Sequence, residues 1–334
     1  MKSSSSNGSS INFIDRGHEP SASMMVGRKV ALHFALSMGV LCAAQGCHDY
    51  ELLGINETAS HPLDDAAGAA GQGAAPIGSP GCGKPAVTTG QLTGQTIAVD
   101  GQARTFALSV PADYGGTTPL ALVIGWHGAN VDGSLGRKIF NIEATGGGSA
   151  LFVYPDALAS AGPATWDTSP DGNDAHLASE LVSLISSTYC IDRARIFAAG
   201  HSTGGAMTVA LACSADWLRA IALVASTPGQ LRADACVAHA GVWMAHGEND
   251  PLIPFSQGEA LRDFWTAQNG CGAGAATWPA EPACVAYGGC LPDRPVVWCV
   301  HDEGHAWPNL TTDCNGGTCF DAGAASWSFF SSFR

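Results

Sequence analysis

The sequence predicts an α/β fold: a mostly parallel central sheet with helices on both faces, rich in disulfides. Three observations predict it. Short apolar runs alternate with segments of helical periodicity through most of the chain. Of 334 residues, 46% are hydrophobic and 13% charged, which is enough apolar surface for one large core. Gly200-His201-Ser202-Thr203-Gly204 stands between an apolar run and a segment of small residues, the form of a sharp strand-to-helix turn.

At the N-terminus Arg28 and Lys29 precede an apolar run over 30–44, too short to span a bilayer and suited to the core of a signal peptide. Residues 1–46 are therefore expected to be a signal region and the chain to be secreted. Ala44-Gln45-Gly46-Cys47 resembles a lipobox, so a lipid anchor at Cys47 is the alternative to simple secretion. Ala, Gly and Pro dominate the stretch that follows, and 47–80 reads as a flexible linker. Residues 81–334 are then one globular catalytic domain, expected to be a monomer.

Within that domain 95–99 and 104–110 are β-like runs on either side of Asp100-Gly101, a hairpin turn signal. Buried strands are expected at 120–124, 151–154, 195–199, 220–225, 242–245 and 296–300. Helices are expected at 176–189, where Leu177, Leu181, Leu184 and Ile185 recur at helical spacing, and at 205–211. Two more close the list, 259–268 with Leu261, Phe264 and Trp265 on one side, and 324–333.

Twelve cysteines without paired Cys-x-x-Cys spacing point to an oxidising compartment rather than to zinc. Setting aside Cys42 and Cys47, ten remain, consistent with five bridges. Cys271 with Cys290 and Cys314 with Cys319 are plausible pairs, but spacing alone leaves the connectivity open. A net charge of −14 with few basic clusters argues against a nucleic-acid surface.

Loops leaving the carboxyl ends of parallel strands converge on one edge, and three of them carry chemistry besides the serine turn. Ser202 is the candidate nucleophile, with the backbone N–H of Thr203 as one oxyanion donor. After 120–124 comes Gly125-Trp126-His127-Gly128-Ala129-Asn130, where Ala129 or Gly128 supplies the second N–H, Ala129 being preferred. After 242–245 comes His246-Gly247-Glu248-Asn249-Asp250-Pro251, in which Asp250 is the candidate carboxylate and Glu248 its rival. His305, in the loop after 296–300, completes the order Ser, Asp, His, with His301 as competitor at the strand end. His201 and His246 are expected to be structural, and the chemistry needs no metal and no cofactor. Trp126, Trp166 and Trp307, with Tyr154, fall at strand ends or loops and are candidate stacking surfaces for substrate.

Jointly, Gly81-Cys82-Gly83-Lys84, Trp126-His127-Gly128, Tyr154-Pro155-Asp156, Tyr189-Cys190-Ile191-Asp192, the serine turn, Leu211-Ala212-Cys213-Ser214, the loop from His246 to Pro254 and Gly304-His305-Ala306-Trp307-Pro308 resemble secreted feruloyl esterases of types C and D. These sit within the polyhydroxybutyrate depolymerase-like esterase group of α/β-hydrolases. The resemblance implies that fold, a Ser202–His305–Asp250 triad, and hydrolysis of hydroxycinnamate esters on plant cell-wall polysaccharide. His201 beside the serine departs from the family pattern, and Cys284, Cys299, Cys314 and Cys319 add to its shared cysteines. Two other readings stand beside it: a polyhydroxybutyrate or other polyester depolymerase using the same triad, and a catalytically silent carbohydrate-binding protein on the same fold.

Overall fold

The computed structural model describes residues 77–85, 88–158, 165–228, 236, 240–309 and 320–334. The signal region, nearly all of the linker, Cys42, Cys47, Cys314 and Cys319 lie outside the described residues.

Ten strands form one sheet in the order β1-β2-β4-β3-β5-β6-β7-β10-β9-β8. They are β1 (Gly90–Val99), β2 (Gln102–Val110), β3 (Leu120–Trp126), β4 (Ala150–Pro155), β5 (Ile191–His201), β6 (Ala220–Val224), β7 (Gly241–Gly247), β8 (Ala275–Thr277), β9 (Cys284–Tyr287) and β10 (Val296–His301). The six strands from β4 to β10 pair in parallel. Their carboxyl ends therefore share one edge. Antiparallel strands flank this block on both sides, β1 and β2 at one end and β9 and β8 at the other. The β1–β2 hairpin turns at Asp100 (φ 50°) and Gly101 (φ 78°), the two left-handed residues that match strand twist in a two-residue turn.

The pleat sorts side chains into two cores. Leu122, Ile124 and Trp126 of β3 face one side, with Leu177, Leu181 and Ile185 of α3 (Asn173–Thr188), Met207 and Leu211 of α4 (Thr203–Ser214), and Leu261 and Trp265 of α5 (Phe255–Gln268). Ala121 and Val123 face the other, with Phe140 of α1 (Gly133–Phe140) and Trp327, Phe329 and Phe330 of α6 (Ala322–Ser331). A short helix, α2 (Glu143–Gly146), completes the set. Strands buried on both faces need apolar residues at every position, which is why the parallel runs read as continuous rather than alternating.

Among the described residues four disulfides join Cys82 to Cys190, Cys213 to Cys236, Cys271 to Cys290 and Cys284 to Cys299. The Cys271–Cys290 pair is the one expected from spacing. Cys284 and Cys299 face each other across the β9–β10 ladder, so this bridge ties the edge hairpin to the strand that leads to His305. Among the described residues no helix is long and apolar enough to cross a membrane.

Candidate active site

Ser202 stands between β5 and α4 at φ 56°, ψ −120°, a conformation that L-residues avoid and that costs roughly 1–3 kcal/mol. The surrounding glycines make it attainable. A Cβ on Gly200 would meet the carbonyl oxygen of Gly204 at 2.3 Å, and one on Gly204 would meet the carbonyl oxygen of Trp126 at 1.9 Å. Only bare backbone lets the turn close and press against the loop after β3. The Ser202 N–H continues the sheet by donating to the Val224 carbonyl at 3.1 Å. Thr203 opens α4, so its N–H belongs to the first turn, where no intrahelical acceptor exists.

The loop after β3 lies against the serine. A Cβ on Gly128 would stand 3.4 Å from the Ser202 Cβ and 3.2 Å from the His201 Nδ1, so the loop passes against the turn at Gly128, with Ala129 next in sequence. This loop is held from behind. The Trp166 indole N–H donates to the His127 carbonyl at 2.8 Å, and the Ala157 N–H donates to His127 Nε2 at 3.3 Å. With Nε2 accepting, the proton sits on Nδ1 and bonds the Gly128 carbonyl at 2.8 Å. Burial pushes the His127 imidazole below its usual range, consistent with that neutral form.

Asp250 lies in the turn after β7, its side chain fully buried. Its Oδ1 accepts the N–H groups of Leu252 (2.8 Å) and Ile253 (2.9 Å), and its Oδ2 accepts from His305 Nδ1 at 2.8 Å. Burial works to raise the Asp250 carboxyl, but the N–H of Ile253, the His305 bond and the N–H of Leu252 outweigh it and hold the group below the ordinary carboxylate value. An ionised carboxylate only accepts, so His305 Nδ1 carries a proton toward Asp250 and Nε2 is the ring nitrogen turned away from it. Gly247 lets the two loops meet, since a Cβ there would fall 1.9 Å from the Glu303 carbonyl oxygen. Glu248, the rival carboxylate, is exposed, and His301 is buried at the end of β10.

Ser202, Gly128, Ala129, Asp250 and His305 thus all lie at the carboxyl edge of the parallel block. The His201 and His305 rings are 4.9 Å apart, which brings the end of β5 to the His305 loop. Burial and then the neighbouring His305 push His201 down to about 3. Among the described residues no group of three or more His, Cys, Asp or Glu has the geometry to hold a metal ion.

The tryptophans require a correction. Trp126, Trp166 and Trp307 are 0%, 7% and 3% exposed, so none presents a ring face for stacking. Trp126 packs edge-on to Trp166 at 4.8 Å, and Trp307 lies 4.4 Å from Phe140 in the opposite core. Tyr154, 1% exposed, is likewise core. For Trp126, the last residue of β3, the cause is the sheet itself: the end of a strand buried on both faces still points into one of the cores. Trp166 and Trp307 are loop residues packed onto Trp126 and Phe140. Their part is to shape the loops from beneath, Trp166 through its indole N–H. Nothing in the sequence signalled that bond, which spans 39 positions.

No family model matches the chain. It is 31% identical to a probable feruloyl esterase C of Aspergillus niger over 268 residues, covering 75% of this chain and 90% of that protein. It is also 31% identical to feruloyl esterase D of Neurospora crassa, with 78% and 92% covered. The chain belongs to the feruloyl esterase family. Among solved structures it is similar to an acetyl xylan esterase from Aspergillus awamori, at a TM-score of 0.56 and 13% identity, covering 71% of this chain and 98% of that one. That similarity establishes for this feruloyl esterase homologue the α/β-hydrolase fold that the resemblance implied.

Proposed function

We propose that the protein is an exported serine carboxylesterase that hydrolyses hydroxycinnamate esters of plant cell-wall polysaccharide. The observations that support the chemistry are the Asp250–His305 bond and, at the same edge of the sheet, a serine held in a strained turn at a helix N-terminus. The substrate class follows from the relatives, which are named feruloyl esterases.

His305 Nε2 takes the Ser202 proton as the Oγ attacks the ester carbonyl, and Asp250 stabilises the imidazolium that forms. The tetrahedral oxyanion receives the N–H groups of Thr203 and Ala129, reinforced by the positive end of α4. Collapse expels the alcohol, protonated by His305, and leaves an acyl-Ser202 intermediate. Water attacks that ester with His305 again as base, releasing the acid and restoring the serine. The residues of this reaction come from the chain alone. Export rests on the apolar run at 30–44 and on the four disulfides, and a lipid anchor at Cys47 would hold the same enzyme at a cell surface.

Fluorophosphonate labelling followed by peptide mass mapping tests the nucleophile. The adduct is expected on Ser202 alone; an unlabelled protein would return the chain to the catalytically silent reading, and an adduct elsewhere would overturn Ser202 as the nucleophile.

A further inference from the structure

Asp250 is approached by two imidazoles, and the triad uses only one of them. His246, on β7 four residues before Asp250, is 1% exposed. Its Nε2 lies 3.0 Å from the Ile253 carbonyl oxygen and 3.5 Å from Asp250 Oδ2. A carbonyl oxygen can only accept, so Nε2 carries the proton. That proton goes to the Ile253 carbonyl, and the nitrogen bearing it stands 3.5 Å from the oxygen that receives the His305 bond.

Its neighbours give the ring one seat. A Cβ on Gly258 of α5 would stand 2.4 Å from His246 Nδ1, so the helix passes there only because it has none. Phe255 lies edge-on at 6.0 Å. The turn bearing Asp250 is thereby fixed from both directions: Oδ1 takes the Leu252 and Ile253 N–H groups, and His246 takes the Ile253 carbonyl.

From this geometry we infer that His246 is a positioning residue for the active-site carboxylate, clamping its turn and polarising its Oδ2. The inference rests on the reading of Asp250 and His305 as the orienting carboxylate and the base of an esterase. The ionisable groups that face His246 are Asp250 in its own loop and His301 on β10; from α5 it meets Phe255 and Gly258, which do not titrate.

Two consequences separate positioning from mere packing. Without the clamp Asp250 no longer fixes the orientation of the His305 ring, so proton transfer slows and kcat falls while substrate binding is untouched. Without the Nε2–H dipole, Oδ2 is more negative, the His305 imidazolium is more stable, and the acid limb of kcat/KM moves to higher pH. A glutamine can offer an amide N–H near the place of Nε2, whereas leucine cannot.

The test is p-nitrophenyl acetate hydrolysis across pH by the full chain and by His246→Leu and His246→Gln, with Ser202→Ala in parallel and Tm for each. In His246→Leu we expect a fall in kcat of roughly 10–100-fold at unchanged KM and an acid limb shifted up by roughly half a pH unit. His246→Gln should recover most of both. If His246→Leu does not fold, His246→Asn, whose amide is one bond shorter, carries the same comparison. Wild-type kcat and pH profile in His246→Leu or His246→Asn overturn the inference, as does a His246→Gln enzyme with restored Tm and unrestored kcat. Turnover that survives Ser202→Ala would overturn the parent reading instead, whatever the His246 variants do.

Discussion

At the scale of the residue, the account turns on positions where a single Cβ cannot be accommodated. Gly204 is the sharpest. Its missing Cβ would strike the Trp126 carbonyl oxygen at 1.9 Å, at the end of β3, and the His127 carbonyl oxygen at 2.5 Å, at the start of the loop proposed to carry the second oxyanion N–H. Gly204→Ala should displace that loop by a fraction of an ångström to an ångström, lowering kcat/KM roughly 100-fold and stability by about 1–3 kcal/mol. Steady-state kinetics with a Tm measurement check this, and a Gly204→Ala enzyme with wild-type kcat/KM would contradict it. The glycines of the serine turn are legible as a pattern in the sequence, but the atoms they avoid are not. Likewise, chain order alone suggested Asp250 with His305 across 55 positions, whereas Arg104 with Asp174 had no signal. That ion pair, 2.6 Å and almost wholly buried, ties β2 to α3, and nothing local marks either residue as having a partner.

At the scale of the element, the strands of the parallel block could be read because burial on both faces forces long apolar runs. The elements that escaped are short, exposed or glycine-containing. Strand β8 has three residues, all exposed, and β9 has four, one buried and three partly buried; β9 owes its place to β10 and to the Cys284–Cys299 bridge rather than to its own pattern. Helix α1 contains Gly133 and Gly136, which lower helix propensity by about 1 kcal/mol each. Both are there for close approach, Gly133 to the Tyr154 carbonyl and Gly136 to the His127 Cβ. Asp132, whose side chain accepts the Leu135 N–H at 2.7 Å, was the available clue to the start of that helix. The tryptophans failed as substrate platforms for the complementary reason: position in a loop or at a strand end can be read from sequence, but the direction a ring points cannot.

At the scale of the molecule, the carboxyl edge collects buried imidazoles whose protonation works against the fold. His301 is pushed down to about 4 by burial and by His246, and His201 to about 3. Both ring nitrogens of His301 are buried without a partner among the described residues, so nothing there stabilises an added proton. In each case the folded pKa lies below the unfolded 6.5, so unfolding takes up protons as the pH falls beneath that value. The stability these groups contribute is full above 6.5 and is lost toward their folded values. For His301 the loss is on the order of 3 kcal/mol by pH 4, at about 1.4 kcal/mol per unit. Asp250, held below its unfolded value, adds a further loss only under about pH 4. Calorimetry should therefore show Tm falling between pH 6.5 and 4, with a shallower slope in His301→Phe; equal slopes in the two proteins would contradict the assignment.

The fold places a serine, an imidazole and a carboxylate on one edge, and the family supplies the ester. Both are tested together by offering methyl ferulate and a short hydroxybutyrate oligomer to the wild type and to Ser202→Ala. The account predicts turnover of methyl ferulate by the wild type, in preference to the oligomer, and none by the variant. Preference for the oligomer would contradict the substrate class, and methyl ferulate hydrolysis that persists in Ser202→Ala would contradict the site itself.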